Sequence, residues 1–191
     1  MSYLVREIKP HFERSIQPVL TALTKAHVSP NTITLLGLVL VIVGSVFLYM
    51  HMHLWSFVFL ALGGLADAID GSLARKNGTR SEFGAFLDSL VDRFSDASPF
   101  IAISLSSEED YLSFLSLLAL VFSFGVSYAK ARAESLGYTL NVGTFERTER
   151  WLTLLVGIVL NMVEVSILVI LFGSFITMLQ RVFAFKNRIP H

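Results

Sequence analysis

The chain has 191 residues, of which 53% are hydrophobic and only 16% charged, with 15 basic and 15 acidic side chains and no cysteine. That length suits one domain, and the strongly apolar composition makes it an integral membrane protein of the all-α class rather than a water-soluble one. Disulfides and thiolate metal sites are excluded, and no signal peptide is expected, because the N-terminus lacks a short apolar core and a small-residue cleavage site.

Residues 1–27 repeat Ile8, Phe12, Ile16, Val19 and Leu23 at helical spacing, while Arg6, Lys9, Glu13 and Arg14 take other faces. This pattern predicts an amphipathic helix, bent at Pro18, that lies either on the inner membrane surface or on the protein's own inner face. Ser29-Pro30-Asn31-Thr32 reads as a turn and cap. The expected division is an interfacial segment over 1–30 and a membrane domain over 31–191. A helix needs about 20 apolar residues to cross the hydrocarbon. Residues 31–66 contain no Asp, Glu, Lys or Arg, which is too long for one span, and Met50-His51-Met52-His53 supplies a turn. The chain therefore predicts helices near 32–50 and 54–75, then 83–105, 111–134, one from Glu146 through the apolar run 151–163, and 165–185. The fold class expected is six transmembrane helices preceded by an amphipathic juxtamembrane helix.

Charge placement supports that topology. With the N-terminus inside, each of the 15 Lys and Arg residues falls on the inner side or on an inner helix end, and the outer turns at 50–54, 106–111 and 161–165 contain none.

Against this background stand four aspartates, in Asp67-Ala68-Ile69-Asp70-Gly71 and in Gly84-Ala85-Phe86-Leu87-Asp88, followed by Asp92. A carboxylate at a membrane helix centre costs about 2.5–3.5 kcal/mol on insertion scales, so it faces the interior and has a partner. Spacings of three and four residues put each pair on one helix face. The topology sets both pairs at the inner side. Carboxylate oxygens suit Mg²⁺ or Mn²⁺, and two such ions can clamp a diphosphate. Gly71 lets backbone approach a phosphate closely, Ala74 is small on the same face as Asp70, Arg75 offers a planar fork, and Gly84 leaves room above Asp88. Taken singly, each glycine is better explained by close helix packing.

The pattern Asp-x₂-Asp-Gly-x₂-Ala-Arg-x₈-Gly-x₃-Asp-x₃-Asp, met at Asp67, Asp70, Gly71, Ala74, Arg75, Gly84, Asp88 and Asp92, resembles the CDP-alcohol phosphotransferase family. The resemblance implies that an alcohol attacks the β-phosphorus of a CDP-linked lipid and releases CMP. It implies that Asp67, Asp70 and Asp88 bind two divalent ions, with Asp92 as general base and further metal contact. It also implies that Gly71, Ala74 and Arg75 hold the CDP group, together with Asn31 and Thr34 at the entry to the first span and Ser81. Asp96 continues the four-residue series, either behind the site or paired with Arg93.

A second constellation concerns the acceptor. Tyr128-Ala129-Lys130-Ala131-Arg132-Ala133-Glu134 closes the fourth predicted helix, and Glu146-Arg147-Thr148-Glu149-Arg150 opens the fifth. Such cations suit a phosphorylated acceptor, or snorkelling to headgroups and pairing with Glu134, Glu146 and Glu149. The stretch is similar to the phosphatidylinositol phosphate and archaetidylinositol phosphate synthases, which implies an acceptor-phosphate pocket from Lys130, Arg132 and Arg181. The expected partners are CDP-diacylglycerol or CDP-archaeol, inositol phosphate, membrane lipid and a second copy in a homodimer; nucleic acid is not expected. The expected location is the plasma membrane, with both termini and the active site cytoplasmic. The alternatives are transfer from CDP-inositol to inositol phosphate, or to glycerol 3-phosphate as in phosphatidylglycerophosphate synthesis. More remote is a divalent-cation transporter, which would carry polar groups through the membrane's depth.

Overall fold

The structure is a computed structural model and describes residues 14–188. The first half of the predicted amphipathic segment, with Arg6, Ile8, Lys9 and Phe12, lies outside the described residues, as do 189–191. Among the described residues seven helices follow in order: α1 Gln17–Lys25, α2 Pro30–Tyr49, α3 His53–Asn77, α4 Glu82–Ser106, α5 Asp110–Ser135, α6 Arg147–Val159 and α7 Val163–Lys186. No strand occurs among the described residues.

Four of these, α2, α3, α5 and α7, are long and apolar enough to cross a membrane by length and composition. The other two predicted spans differ for separate reasons. Helix α4 has the length, at 25 residues, but carries Glu82, Asp88, Asp92, Arg93 and Asp96. Helix α6 has only 13 residues. At 1.5 Å per residue it reaches about 20 Å, short of a hydrocarbon core near 30 Å. Its start is set by a capping box, in which Glu146 and Glu149 each accept from the other's backbone N–H.

The packing is inverted relative to a soluble helix bundle. In α2 the buried positions include Gly37, Val41, Gly44 and Ser45, while Leu35, Leu36, Val39, Ile42 and Val46 are exposed. Without a hydrophobic force between helices in lipid, close backbone approach through small residues supplies the attraction. The α2–α3 seam shows how close. A Cβ on Gly63 would sit 2.5 Å from Val41 Cγ2, and one on Gly44 would sit 2.9 Å from the Leu60 backbone nitrogen.

Two compact units divide the described residues between Ala102 and Ile103. In the first, α2 packs along α3, and α1 lies against α3. Ile16 and Leu20 join Ile33, Ala66 and Leu73 in a buried apolar cluster, so the described part of the N-terminal helix packs its apolar face on its own unit. Pro18 sits in the first turn of α1, where its missing N–H costs nothing. Lys76 Nζ donates to Thr21 Oγ1 at 2.7 Å and Thr24 Oγ1 donates to Asn77 Oδ1 at 2.8 Å, which fastens α1 to the end of α3.

In the second unit α7 packs with both α5 and α6. The segment before α6 is pinned along α7. Thr144 N–H donates to Gln180 Oε1 at 3.2 Å, Phe145 N–H to Thr177 Oγ1 at 3.0 Å, and Arg181 Nε to the Val142 carbonyl at 3.0 Å.

Candidate metal and nucleotide site

The site begins at the end of the α2–α3 seam that holds Thr34 and Asp70. Gly37 lies one turn after Thr34, and Ala66 lies one turn before Asp70. A Cβ on Gly37 would meet Ala66 Cβ at 3.2 Å and the Gly63 carbonyl at 3.4 Å. The close approach brings Thr34 Oγ1 within 2.5 Å of Asp70 Oδ2, and both residues are buried. Thr34 Oγ1 also lies 3.1 Å from the Pro30 carbonyl. A hydroxyl has one proton, so it serves the shorter, charge-assisted bond.

The other three aspartates converge on one another. A carboxylate oxygen from each of Asp67, Asp88 and Asp92 lies within 4.8 Å of the others, all half-buried, with α3 supplying the first and α4 the other two. The four sequence-predicted aspartates thus divide into three that face each other and one, Asp70, tied to α2. Three hard oxygen donors at this separation fit Mg²⁺ or Mn²⁺ and lack the nitrogen or sulfur that zinc prefers. Arg93 Nη2 stands 3.5 Å from Asp92 Oδ2. Asp96, one turn further along α4, is 4% exposed.

Beside the carboxylates is a cavity of about 240 Å³, lined by Pro30, Asn31, Thr34, Asp70, Gly71, Ala74, Arg75, Thr79, Arg80, Ser81, Gly84, Ala85 and Asp88. All the residues the sequence assigns to the nucleotide therefore border one space, and Asp88 belongs both to it and to the carboxylate cluster. Gly71 has a clear reason to lack a side chain: an added Cβ would meet only the Arg75 side chain at 3.5 Å, so it would occupy cavity rather than clash with protein. Arg75 is steadied from behind by Ser72, whose Oγ accepts from Nη2 at 2.7 Å. Ser81 has a second task, since its Oγ accepts from Gly84 N–H at 3.0 Å and so caps the start of α4. Thr79 and Arg80 went unassigned in the sequence. They fall in the eight-residue gap of the motif, which reads as a spacer, although Gly78 at φ +65° ends α3 and turns them onto the cavity wall.

The three basic residues expected at the acceptor all belong to the second unit and differ in state. Lys130 is half-buried, and Arg132 is exposed, with Nη1 donating to Ser135 Oγ at 3.3 Å. Arg181 is 3% exposed and committed to protein. Its Nε donates to the Val142 carbonyl, its Nη1 to the Val126 carbonyl at 2.5 Å, and its Nη2 to Glu146 Oε1 at 3.2 Å. Arg150 is a second arginine at 3% exposure in this unit, and nothing in the sequence distinguishes it from the other cations opening α6.

A model of the CDP-alcohol phosphatidyltransferase family matches residues 27–184. The chain belongs to this family. An archaetidylinositol phosphate synthase of Pyrococcus horikoshii is 34% identical over 97% of this chain and 98% of its own length. An uncharacterized protein of Aquifex aeolicus is 50% identical over 98% of this chain and 97% of its own. Among solved structures, the phosphatidylinositol phosphate synthase of Mycobacterium tuberculosis with CDP-DAG bound superposes with a TM-score of 0.82 at 28% identity, covering 90% of this chain and 94% of the other. The same enzyme in complex with manganese and citrate gives a TM-score of 0.82, with 89% of this chain and 88% of the other covered. Membership makes the chain a membrane-associated CDP-alcohol phosphotransferase, an enzyme class that the carboxylate cluster and its adjoining cavity fit.

Proposed function

We propose that the enzyme transfers the phosphatidyl or archaetidyl group of CDP-diacylglycerol or CDP-archaeol to inositol phosphate and releases CMP. The observation that carries this reading is the continuity of Asp67, Asp88 and Asp92 with the cavity bordered by Gly71, Ala74 and Arg75. The relatives named for inositol phosphate products support the choice of acceptor.

In this reading Asp67, Asp70, Asp88 and Asp92 hold two divalent ions, Mg²⁺ or Mn²⁺, which when bound neutralise the diphosphate and stabilise the charge that develops on the leaving CMP. The nucleotide sits against Asn31, Thr34, Gly71, Ala74, Arg75 and Ser81. Asp92 accepts the proton of the acceptor hydroxyl; that oxygen forms the new bond to the β-phosphorus, and the bond from phosphorus to the CMP oxygen breaks. Lys130, Arg132 and Arg181 take the acceptor's phosphate. Arg181 already serves three protein acceptors, so a direct contact with the substrate uses the second N–H of Nη1 or Nη2. The reading includes six spans after an interfacial segment, with α4 crossing by burying its charges on the metals and α6 as a short or tilted span. It also includes a homodimer in the plasma membrane with a cytoplasmic active site, as the one-sided basic charge requires of a prokaryotic source.

The test is CMP release by purified protein with Mg²⁺ or Mn²⁺, from CDP-diacylglycerol and CDP-archaeol, against inositol phosphate, inositol, glycerol 3-phosphate and serine. Turnover with inositol phosphate is expected. Turnover with glycerol 3-phosphate alone would move the acceptor assignment, and no CMP release with any acceptor would refute the transferase reading.

A further inference from the structure

The nucleotide cavity has a neighbour. On the other side of Pro30, Asn31, Thr79 and Ser81, which border both spaces, lies a larger and more open depression of about 610 Å³. Its remaining wall comes from the end of α1 and the last turn of α3, and its charged or chargeable side chains are His27 and Lys76. Among the described residues no carboxylate lines it. In a first unit whose main cavity is bordered by two aspartates, that difference of sign is chemical information.

His27 carries the second observation. It occupies the position just past α1 at φ +53°, in the left-handed region. Val28 N–H donates to the Leu23 carbonyl at 3.0 Å and His27 N–H to the Thr24 carbonyl at 3.1 Å, so the turn is a Schellman-type helix stop. Glycine takes this position most cheaply, and a β-carbon there costs on the order of 1 kcal/mol. The turn needs no imidazole; the depression it borders gives the imidazole something to do. The same backbone bonds also occupy the Leu23 and Thr24 carbonyls of α1. Lys76 is held in place by its bond to Thr21, and the Thr24–Asn77 bond closes the wall between them. The site is therefore built from two elements that are fastened together.

We infer that this depression is a second anion site, which binds the phosphate of a ligand other than the CDP group through Lys76 and His27. A phosphate there would receive charge-assisted hydrogen bonds from the ammonium and the imidazole. The phosphate can come from an anionic lipid headgroup, which rests on the interfacial position proposed for the N-terminal segment, or from a free phosphate. The inference does not depend on which acceptor the transferase uses.

The test uses the full chain in nanodiscs of phosphatidylcholine with a minor fraction of phosphatidylglycerol, comparing wild type with Lys76→Gln and His27→Gly. Lys76→Gln removes the charge but keeps a donor for Thr21, and His27→Gly removes the imidazole while relieving the left-handed turn. Native mass spectrometry counts the retained phosphatidylglycerol, and equilibrium dialysis with labelled inorganic phosphate forms the second arm. One cation near an anionic headgroup contributes enough for about a fivefold change in affinity. Loss of that size in the lipid arm alone identifies a headgroup; loss in the phosphate arm identifies a free phosphate. His27→Gly is expected to melt no lower than wild type, and CMP release in phosphatidylcholine alone is expected to persist in both variants. Equal binding by wild type and variants in both arms overturns the inference, and because CMP release is measured separately this failure is distinct from failure of the transferase reading.

Discussion

Thr34→Val is the most informative single change at the site. Valine keeps the volume and β-branching of threonine, so α2 and its seam with α3 are retained, while the 2.5 Å bond to Asp70 Oδ2 is deleted. Both residues are buried, Thr34 at 6% and Asp70 at 4% exposure, so water does not replace the lost donor at full value. A hydrogen bond to a charged group contributes about 1.5–3 kcal/mol. If that energy serves to aim Asp70 at its ligands in the reacting complex, kcat/KM falls roughly 10- to 150-fold. The assay is CMP release at saturating acceptor, with divalent ion and CDP-lipid titrated in turn. The expected pattern is a higher half-saturating metal concentration together with a lower thermal transition, and Thr34→Ser should recover most of both because it restores the hydroxyl. Unchanged kcat/KM and metal dependence in Thr34→Val would refute the idea that α2 positions Asp70.

Asp92→Asn keeps the size of the side chain but removes its capacity to take a proton, so turnover should fall by about 10²- to 10⁴-fold while CMP still binds, checked by calorimetric titration. Chelation by EDTA should abolish CMP release, and either Mg²⁺ or Mn²⁺ should restore it; activity that survives chelation would contradict the carboxylate cluster's role. Gly63→Ala forces a Cβ to within 2.5 Å of Val41 Cγ2 and 3.1 Å of the Gly37 carbonyl, an overpacking expected to cost about 1–3 kcal/mol and to lower the melting temperature along with activity. Arg181→Met removes the ion-pair partner of the Glu146 carboxylate and the side-chain donor shared by the Val126 and Val142 carbonyls, and breaking one side of such a buried pair costs about 3–5 kcal/mol, read as a large fall in thermal stability. If Arg181 instead acts only on substrate, Arg181→Met will raise the acceptor KM and leave the melting temperature where it was.

What could be read from the sequence followed from what one-dimensional patterns encode. The uncharged run over 31–66 and the turn between its histidines locate α2 and α3, since hydrocarbon length and the absence of charge are properties of a single segment. Spacings of three and four residues placed Asp67 with Asp70 and Asp88 with Asp92 by helix geometry alone. Contacts between segments left no comparable trace. Thr34 meets Asp70 across 36 positions, and Arg181 meets Val126 across 55. Nothing periodic marks either pair. The Gly37–Gly63 seam was equally silent, because glycines are common in membrane helices and only the facing helix gives each its function. Ser81 was assigned to the nucleotide, but its capping of α4 becomes visible only once the helix start is known to be Glu82.

The division among the aspartates then follows from the helix that each one faces. Asp67 and Asp70 share α3, but three residues on a helix turn through some 300°, leaving the two carboxylates adjacent yet not superposed. Asp70 is drawn toward α2 by the seam that buries Gly37 and Ala66, and Thr34 is the polar group waiting there. Asp67 is left to face Asp88 and Asp92 from α4. Carboxylates within 4.8 Å of one another repel when ionised, so a bound cation stabilises the cluster. The fourth carboxylate, which accepts the Thr34 hydroxyl proton in a hydrogen bond, reports instead on the packing of α2. Loss of metal affinity in Thr34→Val, recovered in Thr34→Ser, would therefore show that the glycine seam sets the geometry of the metal site and does more than hold two helices together.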